Sequence, residues 1–478
     1  MRDARVRIRS AVVAAHLLAL AAAAEGAARW VAAVAGLAVL AACTSSLRPP
    51  RRASSLAATP RHEGELLAGF GSEWTSTEAE RLLDGGEEAP RREIELALPD
   101  ALLDRHVLIL GTTGSGKSRL LELLAAQAVE RGDAVAVIDP KGDARLLERV
   151  RRAAGTRFRL LSLPHPEKSV GYNPVGRFHD VREVADRIAA LLPSSGDALP
   201  FRNFGWEIIH TAATHLARKG PVTLRALRHA AIDRPVGALA SRPREHYLKT
   251  ASALVPLLAK LSGDLLSPAD GGLTWEDVDR DRLVLHIELG SLLGQESASA
   301  VAKMCLLDLQ SYIGARYAYG KGWGPLWLFV DELGDVLTGA FIDLLSKSRA
   351  AGLRIVACAQ STADLEAALG DRPRALQVLA NANTILHFRA QSAADAEIFS
   401  ALAGERRLKA HGEAASYEPA LFSSGLRGVD DFRARFGESL QWQDRPIVPP
   451  WALVRLPVGE FFGRWDGRVF RGRVPELA

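Results

Sequence analysis

Cysteine is nearly missing. Cys43, Cys305 and Cys358 are the only three in 478 residues, too few and too widely spaced for a disulfide framework or a zinc site, and the scarcity fits a reducing compartment. A basic body is missing too. The net charge is +4 and the isoelectric point near 9.0, but residues 1–63 hold nine arginines against Asp3, Glu25 and Glu63. The surplus sits there and the rest of the chain is close to neutral. Net charge therefore marks a membrane-flanking N-terminus and is silent about a nucleic-acid groove.

No apolar run reaches the usual spanning length either. Ala11 to Ala24 and Trp30 to Cys43 are separated only by Glu25 to Arg29. Fourteen residues make a helix of about 21 Å, short of the ~30 Å hydrocarbon core, so tilt, snorkelling or extra turns must supply the difference. Arg2, Arg5, Arg7 and Arg9 lie before the runs and Arg48, Arg51 and Arg52 after them. By the positive-inside rule this predicts a helical hairpin with both ends cytoplasmic, residues 1–45 being the anchor. A secretory signal, a lipoprotein box at Leu40-Ala-Ala-Cys43 and a single uncleaved anchor are the rival readings. Residues 46–63, rich in Pro, Ser and Arg, read as a linker.

What the chain does have is a phosphate-binding turn. From His106 to Ser118 an apolar strand, a glycine-rich turn and the start of an amphipathic helix follow one another, the pattern G-x-x-x-x-G-K-[ST] in its required context. Gly111, Thr112, Thr113, Gly114, Ser115 and Gly116 would turn backbone N–H groups toward an anion at the helix start. Lys117 reaches the β- and γ-phosphates in this motif, and the Ser118 hydroxyl takes one position on Mg²⁺.

Around it, helix and strand alternate. A helix is expected from Lys117 to about Arg131, and strands at Ala134–Asp139 and Phe158–Leu163. The Asp139 to Asp143 turn and Gly171 to Pro174 fall at strand ends, where ligands of parallel sheets sit, or are plain turns. Residues 64–179 are thus the first part of a nucleotide-binding domain. From 180 to 275 the periodicity is helical and carries no chemical motif, predicting an inserted all-α domain. Residues 276–478 return to strands. Leu326 to Val330, ending in Asp331 and Glu332, reads as a Walker B element beside the P-loop strand. Asp331 would hold the metal and Glu332 activate water. Leu353 to Ala359 ends in Gln360, which can sense a γ-phosphate. Segments 451–456, 460–463 and 469–473 suggest a closing hairpin.

The ordered set resembles the TraD/TraG type IV coupling proteins of bacterial conjugation, within the wider FtsK and HerA group of RecA-like motors. It comprises His106–Ser118, Asp139–Asp143, Asn173-Pro174, the helical insertion, Asp331-Glu332, Lys347–Gly352, Gln360-Ser361 and Asn381–Arg389. The resemblance implies an α/β RecA-like fold with a mostly parallel sheet. It also implies a homohexameric ATPase, using ATP and Mg²⁺, on the bacterial inner membrane. Its partners would be DNA, single-stranded and taken without sequence preference, the relaxase complex and a type IV secretion channel. Lys117, Glu332 and Gln360 would be catalytic. An arginine of the neighbouring subunit would reach the γ-phosphate, with Arg349 the better match and Arg105 the weaker. The chain stops after the hairpin, without the longer tail of some relatives, and its break between membrane runs leaves no room for a sizeable periplasmic domain. Cargo choice is then expected in the helical insertion or a partner. A chromosomal pump and a nucleotide-switched receptor for protein substrates are the alternatives; the missing winged-helix-like segment disfavours an FtsK and the membrane runs disfavour a HerA.

Overall fold

The runs Val107–Leu110, Ala134–Asp139, Leu326–Val330 and Leu353–Ala359 are buried along their whole length, and such strands belong inside a sheet covered on both faces. The computed structural model describes residues 64–83, 93–192, 198–241, 244–320, 322–419 and 432–476. The expected anchor (1–45) and linker (46–63) lie outside them. Among the described residues no helix is long and apolar enough to cross a membrane.

The strands, in chain order, are β1 (Glu65–Glu73), β2 (Ile94–Pro99), β3 (Val107–Leu110), β4 (Ala134–Asp139), β5 (Phe158–Ser162), β6 (Val284–Glu288), β7 (Leu326–Val330), β8 (Leu353–Ala359), β9 (Thr384–His387), β10 (Glu405–Pro419), β11 (Phe432–Pro446), β12 (Glu460–Trp465) and β13 (Arg468–Arg473). Eleven form one sheet in the order β2-β1-β13-β12-β9-β3-β8-β7-β4-β6-β5. From β9 to β5 all seven run parallel. Their carboxyl ends therefore share one edge.

The helices used below are α1 (Lys117–Glu130), α2 (Ala144–Ala154), α3 (Val181–Ala189), α4 (Leu199–Ala217), α5 (Arg244–Leu261) and α6 (Gln295–Tyr319). Helix α3 starts at a capping box, in which the Asp180 side chain accepts from the helix backbone and Glu183 from the Asp180 N–H. Among the described residues between β5 and β6 the chain forms helices and turns, its one strand-like feature being an isolated bridge of Tyr172 with Leu273. Ile188, Ile209 and Leu258 of these helices join the sheet residues Leu285 and Leu328 in one continuous apolar core. Arg187, 4% exposed at its side chain, pairs with Asp308 of α6 at 2.8 Å and so ties α3 to a helix that covers the sheet.

Two expectations need correction. The Walker B strand is not beside the P-loop strand: β8 lies between β3 and β7. The closing hairpin is β12 and β13 alone, turning at Asp466-Gly467 with both φ positive (50° and 70°) as a two-residue hairpin requires. Pro450–Val454, expected as part of it, is helical, because Pro450 is set up for a first helical turn. Three strands were not foreseen. One is β1, which joins β2 to β13, and the others are β10 and β11, a ribbon that pairs only with itself.

Candidate functional site

The glycines of the turn are there for space and for φ. Gly111 (φ 142°) could carry no Cβ, since it would lie 2.7 Å from the Phe388 Cβ at the end of β9. Gly114 (φ 73°) faces open space. Helix α1 begins at Gly116 with no side-chain cap, so its first N–H groups are left to a ligand. The Lys117 ammonium arches back over the turn and donates to the Gly111 carbonyl at 2.6 Å and the Thr112 carbonyl at 3.2 Å. Thr112 is anchored from β9, its N–H donating to the Arg389 carbonyl at 2.9 Å and its hydroxyl to Gln391 at 3.3 Å. Ser115 accepts from the Gly459 N–H at 2.8 Å.

The two halves of the expected site meet. The Ser118 hydroxyl, at the start of α1, donates to the Asp331 carboxylate at 3.3 Å. Burial, with the Glu332 and Asp139 carboxylates adding to it, pushes the Asp331 carboxyl up to about 6. A buried anion held in this way has lost water and wants a cation. Among the described residues no group of three or more protein ligands could cage a metal alone, which suits Mg²⁺, an ion that keeps waters and phosphate oxygens in its shell and takes one or two side chains. Ser118 and Asp331 are the residues that fit it.

Glu332 sits in a left-handed conformation (φ 49°, ψ 64°) at the end of β7, which costs a non-glycine residue about 1–2 kcal/mol and turns its side chain along the carboxyl edge. Both its oxygens are engaged. Gln360 Nε2 donates to one at 2.9 Å, and the Lys141 ammonium holds the other. Gln360 in turn accepts from the Thr113 hydroxyl at 3.3 Å, so the interposed β8 wires the P-loop to the acid of β7. Burial opposes charge on Glu332, but the bonds from Lys141 and Gln360 outweigh it and keep its carboxyl below the ordinary value. Lys141 is pulled the same two ways, and Glu332 leaves it above its ordinary value.

The turn carrying Lys141 is fixed from below. The fully buried Asp139 carboxylate accepts from the N–H groups of Lys141 at 3.1 Å and Gly142 at 2.8 Å, and its other oxygen from Asp143 at 2.5 Å. Burial works against this anion, yet His286 and those N–H groups bring it below its usual value. Two readings were left open for the Asp139 to Asp143 segment, and it lies beside Glu332 through Lys141. What reasoning from sequence missed was the Lys141 contact, together with Thr113 on Gln360 and the support from Arg389, Gln391 and Gly459. A lysine between two acids after a buried strand was the available signal.

Arg349 does not join this cluster. It opens the turn Arg349–Ala351 just before β8, is exposed, and lies at the amino edge of the sheet, where its charge is felt by His106 at the start of β3. Arg105 precedes the same strand. Neither reaches this chain's own P-loop edge.

Residues 325–458 match the family model described as the TraM recognition site of TraD and TraG. Residues 85–164 match that of the central domain of the helicase HerA. Over residues 325–458 the chain is similar to the TraD and TraG coupling proteins. Each matched segment holds one half of the site, the HerA-like one the P-loop and Asp139–Asp143, the TraD/TraG-like one Asp331, Glu332 and Gln360. Among solved structures, the bacterial conjugative coupling protein TrwB is similar at 19% identity over 87% of this chain and 96% of that one, with a TM-score of 0.63. TrwB in complex with ADP and Mg²⁺ is similar to the same degree, 19% over 88% and 97%, TM-score 0.63. VirB4 of Thermoanaerobacter pseudethanolicus is more distant, 13% over 88% and 99%, TM-score 0.53. At these identities the likeness is one of fold, an α/β RecA-like domain with a mostly parallel sheet. No curated protein sequence matches the chain.

Proposed function

We propose that this protein is a membrane-anchored, Mg²⁺-dependent ATPase that moves DNA during conjugative transfer, coupling a relaxase-bound strand to a type IV secretion channel. One observation carries the reading: the Ser118 hydroxyl and the Asp331 carboxylate, 213 positions apart in sequence, lie 3.3 Å apart beside the phosphate-binding turn. Lys117 and the free N–H groups of α1 bind and orient the polyphosphate, and Glu332 takes the proton of the attacking water. Bound Mg²⁺ neutralises charge on the phosphate oxygens. Gln360, between the two, senses the terminal phosphate through Thr113.

The likeness to TraD and TraG supports a relaxosome partner, and TrwB, similar in fold, is described as a conjugative coupling protein. A homohexamer on the bacterial inner membrane, anchored through residues 1–45, completes the proposal. In it Arg349 serves the site of the neighbouring subunit, since its place at the amino edge excludes its own. The test is ATP turnover at low salt with and without single-stranded DNA. Stimulation by DNA that Lys117→Ala abolishes is the expected result. Turnover that needs Lys117 but ignores DNA contradicts the DNA pump and leaves a nucleotide-switched receptor.

A further inference from the structure

A general base must offer a free lone pair to the water it deprotonates, within hydrogen-bond reach. Glu332 is restrained as it stands: one carboxylate oxygen accepts from Gln360 and the other is held by Lys141, which leaves one lone pair open on each and makes the carboxylate a weaker base. The two restraints differ in kind. Gln360 ends a central strand and is coupled to the P-loop by Thr113, so its bond reports on nucleotide. Lys141 stands on a turn whose backbone is pinned by three bonds to the buried Asp139. Its backbone cannot drift, whereas its side chain is 44% exposed against 12% for Glu332. The ammonium is therefore the member of the pair that can leave, and it leaves toward solvent at the carboxyl edge.

We infer that Lys141 is a positioning residue that clamps Glu332 in a resting arrangement, and that turnover begins when a phosphate of a bound nucleic-acid strand draws its ammonium away. The strained backbone of Glu332 favours the same sequence, because the glutamate is held off its relaxed conformation and moves readily once the clamp opens. This inference rests on the ATPase reading above. It adds the residue that makes hydrolysis wait for DNA.

Lys141→Met, nearly isosteric and uncharged, tests it. The change leaves the Asp139-pinned backbone alone, and equilibrium binding of ADP with Mg²⁺ confirms that the variant is folded. An ion pair with one partner this exposed is weak, so opening it raises DNA-free turnover by about three- to tenfold. The DNA-stimulated rate changes less, and the ratio of the two rates falls toward one. Lys141→Arg, which keeps the cation, restores most of that ratio. Turnover that drops in Lys141→Met with and without DNA makes Lys141 a direct participant and overturns the clamp, and an unchanged ratio overturns it equally. Wild-type turnover that ignores DNA defeats the DNA-pump reading and the strand as trigger, while the DNA-free rate of Lys141→Met still decides whether Lys141 restrains Glu332.

Discussion

His106, the first residue of the phosphate-binding stretch, is 1% exposed, has φ 64°, and accepts the Ile355 N–H on Nδ1 at 3.2 Å. It is therefore a neutral imidazole. Burial, set against weaker help from a backbone bond and Asp104, pulls its pKa down to about 4 from an ordinary 6.5. The unfolded chain thus binds a proton that the folded one refuses between those values, and stability is lost as pH falls from 6.5 toward 4. Denaturant unfolding at pH 5 and pH 7 is expected to differ by about 2 kcal/mol from this group. His106→Asn, which tolerates the left-handed backbone and keeps an acceptor, should remove that share of the pH dependence. At this scale the sequence was readable where a motif is contiguous. Gly111 to Ser118 and Asp331-Glu332 each follow a buried strand as their motifs imply, although β8 separates the two strands. The Lys141 to Glu332 contact spans 191 positions, and nothing local announces it until the strand order is known.

Among the elements, α3 and α6 depend on the buried Arg187 and Asp308. Burial pushes the Asp308 carboxyl up to about 6 even with Arg187 beside it. Removing the cation strands the anion, so Arg187→Met should cost about 3–5 kcal/mol in denaturant unfolding, far more than a substitution on the exposed face of α4 or α5. The P-loop is equally intolerant. Gly111→Ala drives a methyl against Phe388 and should abolish nucleotide binding, read by equilibrium titration, while the fold persists. Elements with an apolar strand or a helical period were legible, as β4, β7, β8 and α1 show. The ribbon of β10 and β11 was not, because its segments mix charge, glycine and alanine and show no clear period. Residues 451–456 misled because an apolar run this short is ambiguous between strand and helix, and Pro449-Pro450 decided the matter.

Over the whole molecule the sheet sorts functions to its two edges. The P-loop, Asp331, Glu332, Gln360 and Lys141 gather at the carboxyl ends of β3, β7, β8 and β4, whereas Arg349 waits at the amino end of β8. In the proposed hexamer an arginine so placed would serve the site of a neighbour. Arg349→Ala is expected to lower turnover at least a hundredfold with little change in nucleotide affinity. Mixing it with Lys117→Ala subunits should restore part of the activity, and mixing that restores none would speak against service across a boundary. The order β9-β3-β8-β7-β4 was beyond the reach of sequence, since parallel strands leave their neighbours unspecified until the crossovers are built.

The central claim, that one metal-bound nucleotide is held by the Gly111 to Ser118 turn and attacked under the control of Glu332, is tested most directly by the Glu332→Gln variant. Nucleotide affinity and single-turnover ATP hydrolysis are measured side by side on it. The account predicts near wild-type binding with turnover reduced by about 10²–10⁴. Hydrolysis at the wild-type rate, or loss of binding together with turnover, would contradict it.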